Sequence, residues 1–194
     1  ILRPGAYRIT ATLNVPDGVS LSGALARWED GSTTIVVEQN GFSAVRLNNA
    51  SNVRALQFSY PNNQKGDNPD EYPPTVLLAG INPSVESVRF DSAWIGIAPP
   101  PEGANTGQCL LRDITGFTHK VGIRLDGIKD IAVVEVQPQS LLASIVGTRI
   151  DLVDADRAVV IPKKPEAGLV LLVHVGVFPL WIEDELTHLD TSTR

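Results

Sequence analysis

Apolar residues recur along this chain in a single frame. Val45, Leu47, Val53, Leu56 and Phe58 form the first copy, and Val76, Leu78, Val85, Val88 and Phe90 the second. Ile123, Leu125, Ile131, Val134 and Val136 form the third. The first and third copies share one spacing, and the second differs by a single inserted residue within Asn82-Pro83-Ser84. Each copy reads as a short alternating strand, a turn with Asn, Gly or Ser, and a second short strand. Alternation with period two buries one face of a strand. One such unit cannot bury its apolar face alone, so the repeat predicts stacked coils of a solenoid.

The flanking sequence extends the pattern. Residues 1–23 read as short strands broken by turns at Pro4-Gly5 and Pro16-Asp17-Gly18, where Pro presets φ and Gly accepts a positive φ. A polar loop over 24–32 precedes a β-branched strand at Thr33–Glu38. Two excursions interrupt the coils: the polar, proline-rich segment Tyr60–Thr75, and Ala98–Gly107. Long loops on a rigid scaffold often carry binding residues. Between the second and third frames, Cys109–Asp113 and Lys120–Leu125 supply further strands. After Gln137-Pro138-Gln139 the strands lengthen, which suggests a small antiparallel β unit or cap. The expected organisation is therefore a β-helix domain at 1–139 and a small C-terminal β unit with a flexible tail at 140–194.

Composition narrows the class. Gly 16 and Pro 14 imply frequent turns, and helical windows of Ala, Leu, Glu and Lys are nearly absent, so the chain is expected to be all-β. A net charge of −6 disfavours nonspecific nucleic-acid binding, which needs Lys and Arg to displace counterions. No apolar run approaches the roughly 20 residues of a membrane-spanning helix, and no membrane insertion is expected. Cys109 is the only cysteine, so there is no disulfide framework or thiolate metal cluster. The chain opens at Ile1 without an initiator Met, as expected of a processed chain or a piece of a longer one.

The opening run Pro4-Gly5-Ala6-Tyr7-Arg8-Ile9, followed by Thr12-Leu13-Asn14-Val15-Pro16-Asp17-Gly18-Val19-Ser20-Leu21-Ser22-Gly23, resembles the first coils of pectate-lyase-like right-handed parallel β-helix proteins. That group includes polysaccharide lyases, polygalacturonase-type hydrolases and phage tailspikes. Asn52–Phe58 and Val85–Phe90 are similar to its coil-repeat strands, and Tyr60-Pro61-Asn62 and Pro73-Pro74-Thr75 to a loop of its bacterial and phage members. The resemblance covers roughly residues 4–136. It departs from the family in lacking an Ala-rich N-terminal capping helix with an Asp-Asp-Thr signature. It implies a right-handed parallel β-helix of about five short coils, a polysaccharide ligand, and a homotrimer or virion-protein partners in an extracellular or virion setting.

Equal frame offsets on a β-helix stack into columns. The frames align Asn48, Ala79 and Asp126 in one outward column, Gln57, Arg89 and Glu135 in another, and Ser59, Asp91 and Gln137 in a third. Amides and carboxylates of this kind form paired hydrogen bonds with vicinal hydroxyls. Asn48, Gln57 and Arg89 are thus candidate sugar-binding residues, joined by Tyr60 and Tyr72, whose rings bracket the first excursion and could stack on sugar C–H faces. Trp94 is a similar aromatic candidate. Asp91 with Glu135 or Asp126 could supply the acid and base of glycoside cleavage, which need carboxylates about 5–9.5 Å apart. Each of these side chains has an ordinary alternative as a solvated strand face, a core plug or a loop anchor.

No cofactor or metal is expected. The GxSxG, P-loop and GxGxxG motifs are absent, and His119, His174 and His188 lack ligand spacing. Asp67-Asn68-Pro69-Asp70-Glu71 is oxygen-rich but without the EF-hand pattern, and reads as a solvated loop. No Asp-Asp or Arg-Pro-Lys catalytic cluster stands out. The leading expectation is a carbohydrate-directed module of a tailspike- or tail-fibre-like protein that binds, and in an enzymatic form cleaves, a host surface polysaccharide. The alternatives are a secreted polysaccharide lyase or hydrolase, and a non-enzymatic structural component of a virion.

Overall fold

The structure is a computed structural model and describes residues 1–25, 31–63, 68–101, 106–125, 128, 131–136, 150–151 and 157–162. Over 131–136, 150–151 and 157–162 the description is of the backbone. Twelve strands join in a single sheet in which every pairing is parallel. They are β1 (Gly5–Ile9), β2 (Leu13–Val15), β3 (Ser20–Ser22), β4 (Thr33–Val37), β5 (Val45–Leu47), β6 (Asn52–Ser59), β7 (Val76–Leu78), β8 (Ser84–Ala98), β9 (Leu110–Arg124), β10 (Ile131–Val136), β11 (Ile150–Asp151) and β12 (Arg157–Pro162). The only helical element among the described residues is a 3-10 turn at Pro61–Asn63. The chain is a right-handed parallel β-helix, as expected, with about four turns among the described residues.

Three faces arise because long strands bend at fixed corners. The first face stacks β2, β5, β7 and the ends of β8 and β9. The second stacks β3 with the opening residues of β6, β8 and β9, then β10 and β12. The third stacks β1, β4, the closing residues of β6 and the middle portions of β8 and β9. Inward ladders carry the repeated frame: Leu13–Val45–Val76–Ile97–Ile123, Leu21–Val53–Val85–Leu111, and Tyr7–Ile35–Phe58–Phe90–Gly116. Most of these side chains form one buried cluster. Each fully buried Val, Leu or Phe contributes about 1.5–3 kcal/mol of transfer free energy. Phe58 and Phe90 stack at 6.0 Å.

Two columns of left-handed residues make the corners. Gly18, Ala50, Asn82 and Gln108, each two residues before a registered strand position, have φ of 70°, 49°, 60° and 52°. Ala55, Ser87 and Asp113, between the second and third faces, have φ of 55°, 50° and 52°. At the first column, amides climb the solenoid: Gly18 N donates to Asn49 O at 2.9 Å, Ala50 N to Ile81 O at 2.8 Å and Asn82 N to Gly107 O at 2.9 Å. These inter-coil bonds satisfy backbone groups that a corner would otherwise strand.

The third hydrophobic frame is placed differently from the sequence alignment. β9 forms a coil of its own, with Leu111 and Ile114 continuing the Val85 and Val88 ladders. Val134 then partners Leu111, occupying the ladder position that the repeat assigned to Ile131. β11 and β12, the described parts of 140–194, pair in parallel with β9 and β10 rather than forming antiparallel strands. The remainder of that expected C-terminal unit lies outside the described residues.

Candidate functional site

The outward side of the third face gathers three of the candidate side chains, Gln57, Arg89 and Asp91, together with Ser59. Thr34, Gln57, Arg89 and Thr115 form one ladder across successive coils, and Val36, Ser59 and Asp91 form the next. Parallel strands place such rungs about 4.8 Å apart. All these residues are partly exposed, because strand alternation turns them away from the Ile35–Phe58–Phe90 ladder. Ser59 Oγ donates to Asp91 Oδ2 at 2.9 Å and Ser92 Oγ to Asp91 Oδ1 at 3.2 Å. Both carboxylate oxygens of Asp91 are thereby oriented by neighbouring hydroxyls.

An aromatic and basic edge adjoins these ladders. Phe117 follows Gly116, the partner of Phe90, where the β8–β9 register shifts, and 41% of its surface is exposed. Its ring meets His119 edge-on at 4.8 Å. Lys120 Nζ lies 5.2 Å from the ring centroid of the half-buried Trp94, a cation–π geometry. His119 Nε2 lies 2.9 Å from Asn63 O. A carbonyl only accepts, so this nitrogen bears the proton.

The loop beside this edge is fastened from inside. Asn63 is fully buried; its Nδ2 donates to Ser92 O at 3.0 Å, and its Oδ1 accepts from Asp70 N at 2.6 Å. Tyr60 is also fully buried and donates its hydroxyl to Thr75 Oγ1 at 2.8 Å. Thr75 passes the chain on by donating its hydroxyl to Ile95 O at 3.1 Å. Tyr72 packs edge-on against Tyr60 at 4.9 Å. Burial and the hydrogen bond make the neutral Tyr60 phenol part of the scaffold, with its pKa raised by desolvation. The phenol of Tyr72 is likewise pushed up, first by desolvation and then by the Asp70 carboxylate. The two tyrosines are therefore loop anchors rather than the exposed sugar platforms expected from the sequence, since neither offers a ring face to solvent.

The other candidates separate. Asn48 shares a rung with Ala79, as aligned, but its Nδ2 donates to Asn14 Oδ1 at 3.0 Å and Val15 O at 2.7 Å. It links coils at a corner away from Gln57 and Arg89. Glu135 does not join the Gln57–Arg89 ladder; its backbone partner is Arg112, which places it on the Arg54–Glu86–Arg112 ladder of the second face. Charges alternate along that ladder, and Arg112 Nη1 approaches Glu86 Oε2 at 4.0 Å. Asp91 and Glu135 thus stand on different faces, and the expected acid–base pair is not assembled on one ladder. Asp126 lies outside the described residues.

No family model, curated protein or solved structure matches this chain. It is a parallel β-helix. The expected β-helix architecture is present, and no match supports membership of a pectate-lyase-like family.

Thr115, Phe117 and His119 fall in the gap between the two strands that the sequence predicts where the structure has the single β9. Their signal was the Leu111-x-x-Ile114-x-Gly116 spacing, which repeats Val85-x-x-Val88-x-Phe90 with glycine in the aromatic position. From the sequence, His119 offers only the absence of ligand spacing to the other histidines. Its neighbours instead make it part of an aromatic edge.

Proposed function

We propose that this chain is a carbohydrate-binding β-helix module of a tailspike- or tail-fibre-like protein, and that its third face receives a host surface polysaccharide. The observation carrying this reading is the meeting of two polar ladders with an exposed aromatic edge on one sheet. Gln57, Arg89 and Asp91 present an amide, a guanidinium and an oriented carboxylate within adjacent coils. These groups suit paired bonds to vicinal hydroxyls, and Phe117 adds a face for sugar C–H groups. Binding rather than cleavage is the primary activity in this reading, because Asp91 has no second carboxylate on its ladder among the described residues.

A glycan array of bacterial capsular and lipopolysaccharide oligomers tests the proposal. Binding that falls at least about tenfold, or about 1.4 kcal/mol, in both Arg89→Ala and Phe117→Ala supports it. A blank array, or binding unaffected by either change, refutes it. The associated proposal of a homotrimer in which residues 140–194 serve attachment is tested by native mass; a monomer at micromolar concentration argues against it. Release of reducing ends from a bound polysaccharide, lost in Asp91→Asn, would extend the activity to cleavage.

A further inference from the structure

The sequence contains a single asparagine–glycine step, Asn40-Gly41, in the loop between β4 and β5. Both residues are exposed. Gly41 has a φ of +102°, and nothing lies within 4 Å of the position a Cβ would occupy. Its amide nitrogen is 2.6 Å from Asn40 Oδ1, to which it donates, so the backbone nitrogen rests against the side-chain carboxamide. Asn40 Nδ2 donates to Glu71 O at 3.0 Å, tying this loop to the excursion at residues 60–75.

We propose that Asn40 is a site of self-modification by succinimide formation. Loss of the Gly41 amide proton to solvent base frees the nitrogen to attack Asn40 Cγ. The N–Cγ bond forms, the Cγ–Nδ2 bond breaks, and ammonia departs with a proton returned from solvent. Water then adds to one of the two imide carbonyls and opens the ring to aspartate or isoaspartate. No oxidant, reductant or enzyme is required. Holding the reacting atoms together is the larger part of the advantage of such an intramolecular step. The absence of a side chain on Gly41 leaves the approach unobstructed.

A related step in this fold is held closed. At Asp17-Gly18, both Asp17 carboxylate oxygens accept N–H groups of Asn49, at 3.0 and 3.1 Å, and Gly18 N donates to Asn49 O at 2.9 Å. That amide is committed to the coil above. Asn49 and Asn62 are exposed, but each is followed by a residue with a side chain, Ala50 and Asn63. The consequence of change at Asn40 is local and definite. The Nδ2 donor to Glu71 O disappears, and a new carboxylate appears beside a segment already bearing Asp70 and Glu71.

Incubation of the intact chain in mildly alkaline buffer, followed by digestion and mass spectrometry, tests the proposal. The fragment containing Asn40 should acquire the mass of an amide-to-acid exchange as mixed aspartate and isoaspartate, at least about tenfold faster than fragments containing Asn49 or Asn62. The rate in the folded chain should lie within about tenfold of that in urea, or above it. Asn40→Gln should abolish the product in that fragment. Aspartate without isoaspartate, a rate no greater than at Asn49 and Asn62, or folded-state protection beyond that tenfold range would overturn it.

Discussion

Replacing Ala50 by glycine is expected to stabilise this protein, although it removes a methyl group and adds no contact. Ala50 sits at φ 49° in a corner column that also contains Gly18 at φ 70°. The left-handed conformation costs an L-residue roughly 1–2 kcal/mol. Glycine avoids that cost, but its freer unfolded chain returns about 0.4–1 kcal/mol. Ala50 is exposed, so deleting its Cβ sacrifices little burial. The net gain expected is about 0.5–1 kcal/mol, or about 1–4 °C in Tm for a chain of this size. Gly18→Ala provides the mirror experiment: no atom lies within 4 Å of the added Cβ, so only backbone conformation is changed. It should lose about 1 kcal/mol. Urea unfolding of both variants, with unchanged m-values, measures the difference directly. A destabilised Ala50→Gly, or a neutral Gly18→Ala, would refute the view that these corners hold conformational strain.

Three further outcomes are expected. Gly116→Ala should destabilise by about 3 kcal/mol or more, because its φ is +112° and a Cβ there would collide with the Phe90 backbone; thermal unfolding would show whether the strand yields instead. Asn63→Ala should cost about 1–3 kcal/mol by removing a fully buried amide that serves both Ser92 O and Asp70 N, with faster amide exchange in residues 68–75 as the local signature. Burial pushes the Cys109 thiol from 9.0 up to about 12, so it should resist alkylation at pH 8 until the chain unfolds. Its protonated form is favoured by folding; the associated stability is present below pH 9 and is lost as pH rises towards 12, when the unfolded thiol ionises first. Rapid labelling of the native thiol at pH 8 would contradict its burial.

The solenoid was legible because burial imposes one requirement at every coil. Val53 and Val85, or Phe58 and Phe90, must point inward at the same rung, and their spacing survives in the sequence. That equality also made Gln57–Arg89 and Ser59–Asp91 legible as ladders. The alignment failed at the next coil. There, the inward aromatic gives way to Gly116, and the β8–β9 register shifts between Phe90 and Ile95. A pattern built on apolar residues passes over a glycine, so Glu135 was assigned to the wrong ladder. Tyr60 and Tyr72 illustrate a different limit. Aromatic residues bracketing a polar loop suit either a ligand or an anchor, and only their burial decides between the two.

The ladder of Asp17, Asn49 and Ile81, joined through side-chain amides at intervals of 32 residues, holds coils together without reference to the loops between them. Each rung answers only to the rungs above and below it. The excursion at residues 60–75 can consequently change length and composition while its two tethers, Asn63 and Thr75, stay fixed. For the lineage carrying this chain, coil and loop become separately heritable traits. Insertions can accumulate in the excursion with no need to reinvent the coil that carries it.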